Sequence, residues 1–346
     1  MANMNIRTPR FYTDQISYLL SRGVAQNGNF DVKATGGSGT SASRGIQTGT
    51  EAELFDMNPR NKVDFDTSGD TDSQVLITID TQSTSTKKSF VAILNHNMAS
   101  ADAKMRINAS NTESHVTTVD MGSATLSPSC TNVVNGSPST NIITPGYDGS
   151  TIVTFAESAL QYWGIQFEGN NSNTFDGSTD LFVGCILLGE YYEMPHAPDL
   201  QVTRMISYNR LNDLQESYGG QRFSNLKSYG RTATSTSKSP FTTGSNGYDS
   251  YGGRLIYDMN FSFINSTDLM PDEYDVPLAT DDNFVEDVWN KTNGNHIPFI
   301  FSIDKASEGA DAESEHIFGR FANNSLDTQQ VAPDIFNISL TVEEEF

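Results

Sequence analysis

Four aspartates crowd into Asp64–Asp72 (DFDTSGDTD), and the first chemistry they raise is calcium binding. Calcium takes several oxygen ligands at close range, and Asp66, Asp70 and Asp72 around Gly69 can supply three of them. The run does not follow the order of the EF-hand loop, so a solvated acidic turn is the expectation and a calcium site the competing reading. The five histidines, His96, His115, His196, His296 and His316, form no pair at metal-ligand spacing. No HExxH, CxxC, GxSxG or GxxxxGK[ST] pattern occurs. Asn95, His96 and Asn97 stand together at the end of an apolar run (FVAILNHN). A ligand-binding edge is conceivable there, but the expected role is to satisfy backbone donors and acceptors where a strand turns. Glycoside hydrolysis would need two facing carboxylates, a separation that sequence does not give. An aromatic sugar groove has little to draw on, since Trp163 and Trp289 are the only tryptophans and both sit in core-like patterns. The expectation is a protein that is not an enzyme and has no resident cofactor, with calcium left open.

The elements that must position these residues read as short strands. Candidates are Lys62–Asp66, Gln74–Asp80, Ser89–Asn95, Lys104–Ala109, Thr151–Phe155, Tyr162–Glu168 and Leu181–Tyr192. Val75, Ile77 and Ile79 alternate with Leu76, Thr78 and Asp80, the period of a strand with one apolar face. Strands at this spacing with Ser, Asn and Gly turns predict a β-sandwich, not alternating β-α-β units. Pro195 and Pro198 mark a boundary. Beyond it, Leu255–Ile264, Pro298–Ile303, His316–Phe321 and Ile335–Val342 predict a second β-rich domain, with one helix over Asp281–Thr292 capped by Asp281. Tyr218–Gly253 is polar and longer than an ordinary loop, so it is expected to hold edge strands or a mobile loop. At the other end, Arg10–Arg22 predicts a short amphipathic helix closed by Gly23, and Gly36–Gly49 a flexible loop. Residues 1–49 are read as an assembly arm, with Arg7, Pro9, Phe11 and Tyr12 reaching a neighbouring subunit. Residues 50–195 are read as the sandwich and 196–346 as the second domain.

Charge narrows the partners. Forty-three acidic residues against 21 Lys and Arg leave a net charge of −22, which repels phosphate backbones and disfavours nucleic acid. The apolar runs are far short of a membrane span, and the polar Met1–Arg10 does not resemble a secretory leader. Cys130 and Cys185 are expected to be free, structural thiols.

Three stretches, in order, resemble phage tail-associated proteins. SFVAILNHNMASADAKMRIN is similar to their strand, Asn/His turn and strand, and YWGIQFEG to the strand that follows. LFVGCILLGEYYEMPHAPD resembles their closing segment, carried here by Gly184, Leu188, Gly189, Glu190, Tyr191, Tyr192 and Pro195. ESYGGQRF and the terminal FNISLTVEEEF look like later segments of the same proteins. The resemblance covers about Ser89–Phe223, and over Ser89–Asp199 it implies a galactose-binding-like (discoidin-like) jelly-roll sandwich. Trp163, Gly189 and Glu190 are then fold-motif residues, together with Asn95, His96 and Asn97. No sugar-ligand residue of that fold can be matched. The resemblance implies a structural protein of a tailed-phage virion, most simply in the distal tail or baseplate. Such a protein is made in the host cytoplasm and packs as a homo-oligomer with other tail proteins. The competing expectations are a host-surface glycan-binding module at the tail tip, a glycan depolymerase, and a head decoration or connector protein.

Overall fold

The structure is a computed structural model, and it describes residues 7–23, 30–33, 42–117, 129–139, 141–207, 214–224, 254–271, 282–306 and 315–345. The fold is mainly β. Among the described residues, one antiparallel sheet has 13 strands and a second sheet has 7. The smaller sheet centres on Tyr162–Gly169, hydrogen-bonded to Ser73–Asp80 on one side and Ala103–Ser110 on the other. The larger sheet faces it with Lys88–His96 between Gly149–Ser158 and Leu181–Glu193.

Apolar alternation decides how these strands pack. Val75, Ile77 and Ile79 meet Val91, Ile93, Trp163, Ile165, Ile186 and Leu188 in a core between the sheets, so this part is a β-sandwich. The opposite residues of the same strands, Phe90, Ala92, Leu94, Cys185 and Leu187, are buried in another cluster with Tyr12 and Ile300. Lys88–His96 is therefore buried on both faces, which its near-continuous apolar run allows.

The first strand departs from expectation. Arg10–Asp14 is not the start of a helix; it is a buried strand, and the helix spans only Gln15–Ser21. Asp14 caps that helix by accepting the Ser17 N–H at 2.7 Å, so the helix begins five residues later than the apolar pattern suggested. The strand lies between Leu181–Glu193 and Phe299–Ser302 and hydrogen-bonds to both. Phe11 and Tyr12 are therefore interior residues of their own subunit and not parts of an arm laid on a neighbour. The physical reason is an uninterrupted RFYT run, which suits a strand buried on both faces better than a helix with one apolar stripe. Pro9 is buried and its carbonyl accepts the Met194 N–H at 3.1 Å. Arg7 is exposed and lies 3.7 Å from Asp304. Residues 1–6 fall outside the described residues.

Beyond Phe299–Ser302 the larger sheet continues through His316–Phe321, Ile335–Glu344 and Arg254–Asn265 to the edge strand Thr203–Ser207. Thr328–Ala332 forms a hairpin with the start of Ile335–Glu344. One face of these strands buries a second aromatic core. Phe11 sits within it, its ring centroid 5.2–5.9 Å from those of Phe284, Phe299, Phe301 and Phe321. The expected helix near residue 285 is present but wound as a π-helix over Val285–Asn290. Its cap is Asn283, whose Oδ1 accepts the Glu286 N–H at 2.9 Å; Asp281 lies outside the described residues. Within the expected loop Gly36–Gly49, Ala42–Ser43 and Ile46–Thr48 are short strands, because each finds a partner in a sheet. Most of Tyr218–Gly253 lies outside the described residues.

Candidate functional site

The densest charge cluster sits where the sandwich meets the C-terminal strands. Lys87 and Lys88 open the strand Lys88–His96, and Ser158 pairs with Lys88, which brings Glu157 alongside. Glu190 arrives from Leu181–Glu193, opposite Thr13 of the first strand. Asp282, Asp287 and Lys291 come from the π-helical segment packed over that junction. Lys87 Nζ lies 3.2 Å from Glu157 and 3.1 Å from Asp282; Lys291 Nζ lies 2.9 Å from Glu190 and 3.0 Å from Asp287. Carboxylate oxygens of Glu157, Glu190 and Asp282 come within 4.8 Å of one another.

Burial raises the carboxyl pKa of both Glu190 and Asp287, and the Lys291 ammonium opposes that rise. For Lys291, burial works against the charge, but Asp287 and Glu190 outweigh it and hold its pKa above the ordinary lysine value. Lys88 is buried with its Nζ donating to the carbonyls of Leu160 at 3.1 Å and Ser83 at 3.3 Å. Burial lowers its pKa to about 8. Each carboxylate here already faces an ammonium group. Lys87 holds Glu157 and Asp282, and Lys291 holds Glu190 and Asp287, so the cluster ties the strands Lys88–His96 and Leu181–Glu193 to the π-helical segment.

Asn95, His96 and Asn97 do the backbone work expected of them. Asn95 adopts a left-handed conformation (φ 55°) and donates to the Pro59 carbonyl at 2.6 Å. Asn97 accepts the Phe182 N–H at 2.7 Å and donates to the Asp180 carbonyl at 2.8 Å. His96 Nδ1 accepts the Met98 N–H at 3.2 Å, so the proton resides on Nε2, which donates to Thr151 Oγ1 at 2.8 Å. Complete burial pushes the imidazole down to about 3. It is a neutral structural group at ordinary pH.

The remaining fold-motif residues are explained by close packing. Trp163 stacks on Phe155 at 5.2 Å and donates Nε1–H to the Leu160 carbonyl at 2.9 Å. A Cβ on Gly189 would stand 1.9 Å from the Thr13 carbonyl oxygen, so only glycine lets the first strand approach. A Cβ on Gly184 would similarly meet the Pro59 carbonyl at 2.4 Å.

Asp66, Asp70 and Asp72 do not converge on one point, and the carboxylates that do converge among the described residues are those of the junction. Asp70 is held by Arg44 and by the Ser73 hydroxyl at 3.1 Å, while Asp72 accepts from Asn173 at 3.3 Å. Asp70 and Asp72 thus tie their loop to the segments that carry Arg44 and Asn173.

Sequence reasoning missed two features. The junction brings together residues up to 195 positions apart, a separation with no local signal. The second is exposed apolar surface. Among the described residues the large exposed hydrophobic side chains are Leu200, Met205, Ile206, Tyr218, Phe263 and Val331, all of them C-terminal to Pro195. A polar cleft of about 260 Å³ lies in the same region, lined by Arg254, Asn295, Arg320, Asn324, Glu343 and Glu345 among others.

No protein-family model matches this chain, and no curated protein matches it. Among solved structures, the chitosan-binding module 1 of a chitosanase/glucanase from Paenibacillus sp. IK-5 is 15% identical, covering 46% of this chain and 93% of that one, with a TM-score of 0.28. A truncated AlyQ with CBM32 and alginate lyase domains is 12% identical, covering 68% of this chain and 49% of that one, with a TM-score of 0.24. Overlays of this quality are partial, and the description of the chain as a mainly β, sandwich-containing protein rests on its own sheets.

Proposed function

We propose that this protein is a non-enzymatic structural component of a tailed-phage virion, assembling in multiple copies in the tail, at the distal tail or baseplate. The observation that carries this reading is the uneven distribution of exposed apolar surface. Among the described residues, all the large exposed hydrophobics lie C-terminal to Pro195, whereas the sandwich has none. Exposed apolar groups of this size favour contact with another chain. The ordered resemblance over Ser89–Phe223 supplies the virion context and the expected partners, copies of itself and other tail proteins. It also supplies the location, a particle assembled in the host cytoplasm. Light scattering after gel filtration, over a dilution series of the full chain, tests the proposal. A discrete oligomer that dissociates on dilution is expected; a strict monomer at every concentration overturns it.

The polar cleft favours a second reading, a module for host-surface glycan. Arg254 pairs with Glu343 at 3.4 Å, Arg320 with Glu345 at 2.7 Å, and Asn295 donates to Asn324 at 3.1 Å. Planar polar groups of this kind can exchange their mutual bonds for sugar hydroxyls. Saturable binding of host polysaccharide, weakened by Asn295→Ala, would support it.

A further inference from the structure

Charge is distributed unevenly along the C-terminal strands. Residues 195–203, 255–271 and 322–342 contain no Lys or Arg, yet they hold Asp199, Asp258, Asp268, Asp327 and Asp334. Hydrogen bonds draw parts of these segments together at one place. The Asp199 N–H donates to the Asn260 carbonyl at 2.8 Å, and the Ser262 hydroxyl donates to the Asp199 carboxylate at 2.7 Å. Leu200 is thereby set beside the bulge of Arg254–Asn265. The Phe263 N–H donates to Asn337 at 3.0 Å, the Ser266 N–H to the Asp334 carbonyl at 2.9 Å, and Asn265 to Asp268 at 3.3 Å. Leu200 is fully exposed and Phe263 is 72% exposed, with Asp199, Asp268 and Asp334 around them. Among the described residues no Lys or Arg pairs with any of these three aspartates, whereas Asp70 and Glu168 in the sandwich each face an arginine.

Phe263 adds an independent sign. Its backbone is left-handed (φ 65°), a conformation that suits Gly or Asn and penalises a bulky side chain. A ring so exposed recovers little packing within its own chain, so the fold alone does not call for an aromatic there. Exposed aromatics are frequent anchors of protein contacts. The aspartates then decide what kind of surface fits. Two copies meeting through this end would set Asp199, Asp268 and Asp334 against their equivalents, and like charges brought together oppose association. A chain with 43 acids against 21 Lys and Arg has no excess of cations elsewhere to meet them. A basic partner turns the same groups into attraction that steers the encounter.

We propose that Leu200 and Phe263, rimmed by Asp199, Asp268 and Asp334, are a docking surface for a different protein that presents Lys and Arg around an apolar pocket. This rests on the structural reading above and names the kind of partner that this end of the molecule meets. The two apolar side chains supply the buried centre of the contact, and the aspartates supply its charged rim. Contacts between copies are then made by other parts of the surface. Arg204, the basic residue that follows in sequence, lies over the Tyr257 ring at 5.9 Å and stays with its own chain.

Fluorescence anisotropy of the full chain with three labelled synthetic peptides tests it: one alternating Lys and Leu, one Lys and Ser, one Glu and Leu. The Lys/Leu peptide is expected to bind saturably and more tightly than either of the others. Leu200→Ser combined with Phe263→Asn should weaken it by about 10-fold or more, the scale of a lost anchor. Asp66→Asn combined with Asp176→Asn, on the sandwich, should leave it unchanged, and thermal melting confirms that each variant is folded. Equal binding of Lys/Leu and Lys/Ser, or unchanged affinity in the Leu200/Phe263 variant, overturns the proposal, because charge alone then holds the peptide. Light scattering separates this result from the multi-copy reading. An oligomer that dissociates in the Leu200/Phe263 variant also overturns the proposal, since the surface then joins identical copies. An oligomer that persists in that variant while peptide binding is lost supports both readings. A strict monomer that binds the peptide through these two residues supports the docking surface and removes the multi-copy reading alone.

Discussion

The sandwich and the C-terminal strands share one continuous sheet but use it differently. In the sandwich, Lys88–His96 is buried along its whole length and the second sheet covers its inner face. On Arg254–Asn265 burial alternates, with Leu255, Tyr257, Met259 and Phe261 inward and Asn260 and Phe263 exposed. The first arrangement is self-sufficient, because its apolar groups already have partners. The second leaves hydrophobic side chains such as Met205, Ile206 and Phe263 facing solvent. The lesson is that a sheet can be structural at one end and available for association at the other without any break in its hydrogen bonding. The first strand makes this possible, since Tyr12 packs with the sandwich strands and Phe11 with the C-terminal aromatics.

The comparison can be broken most directly at Phe11. Phe11→Ala should cost about 3–5 kcal/mol, the range for a large buried aromatic. Hydrogen exchange should then rise first in Phe299–Ser302 and His316–Phe321, with Ser73–Asp80 still protected. Equal loss of protection in both parts would show that they unfold as one unit. Next comes the junction. Lys291→Met leaves Glu190 and Asp287 buried without their cation, at a cost of about 3 kcal/mol at neutral pH by denaturant unfolding. Both carboxyl groups have folded pKa values raised above the unfolded ones, so stability is favoured below the unfolded pKa and lost as pH rises through the folded pKa. The penalty in this variant should therefore be smaller at pH 4 than at pH 7.

A smaller effect sharpens the view of the sandwich. His96 has a folded pKa of about 3, depressed from the unfolded value, so the unfolded chain binds the extra proton between those limits. Stability from this group is present above the unfolded pKa near ~6.5 and falls with acidification by about 1.4 kcal/mol per pH unit down to about 3. His96→Gln should flatten the acid limb of a melting-temperature profile by that slope, whatever other carboxyl groups contribute. The smallest effect is expected at Phe263. Phe263→Asn relieves the left-handed strain and should raise stability by about 1 kcal/mol. A loss of stability instead would mean that the exposed ring is packed and that the contrast between the two regions is overstated.

Much of the fold was legible from local pattern. The alternation in Ser73–Asp80, the apolar run of Lys88–His96 and the aromatic strand Tyr162–Gly169 each announce themselves within ten residues. Arg10–Asp14 was misread as helix because its environment, a strand on either side, is supplied by residues some 180 and 290 positions away. The Asp66, Asp70 and Asp72 run shows the converse, since the partners of Asp70 and Asp72 include Arg44 and Asn173, which the run itself does not contain. The Asn-His-Asn triplet was read correctly as backbone support, because short polar side chains at a strand end have few other uses.

Sequence by itself determined the strands and the excess negative charge, because pleat periodicity and composition are local or additive properties. Tertiary structure alone decided that Phe11 joins the C-terminal aromatic core from a strand that also packs on the sandwich, and that Lys87 and Lys291 meet a converging set of acids. Those outcomes depend on which distant segments become neighbours, and a strand's own residues do not record who stands beside it.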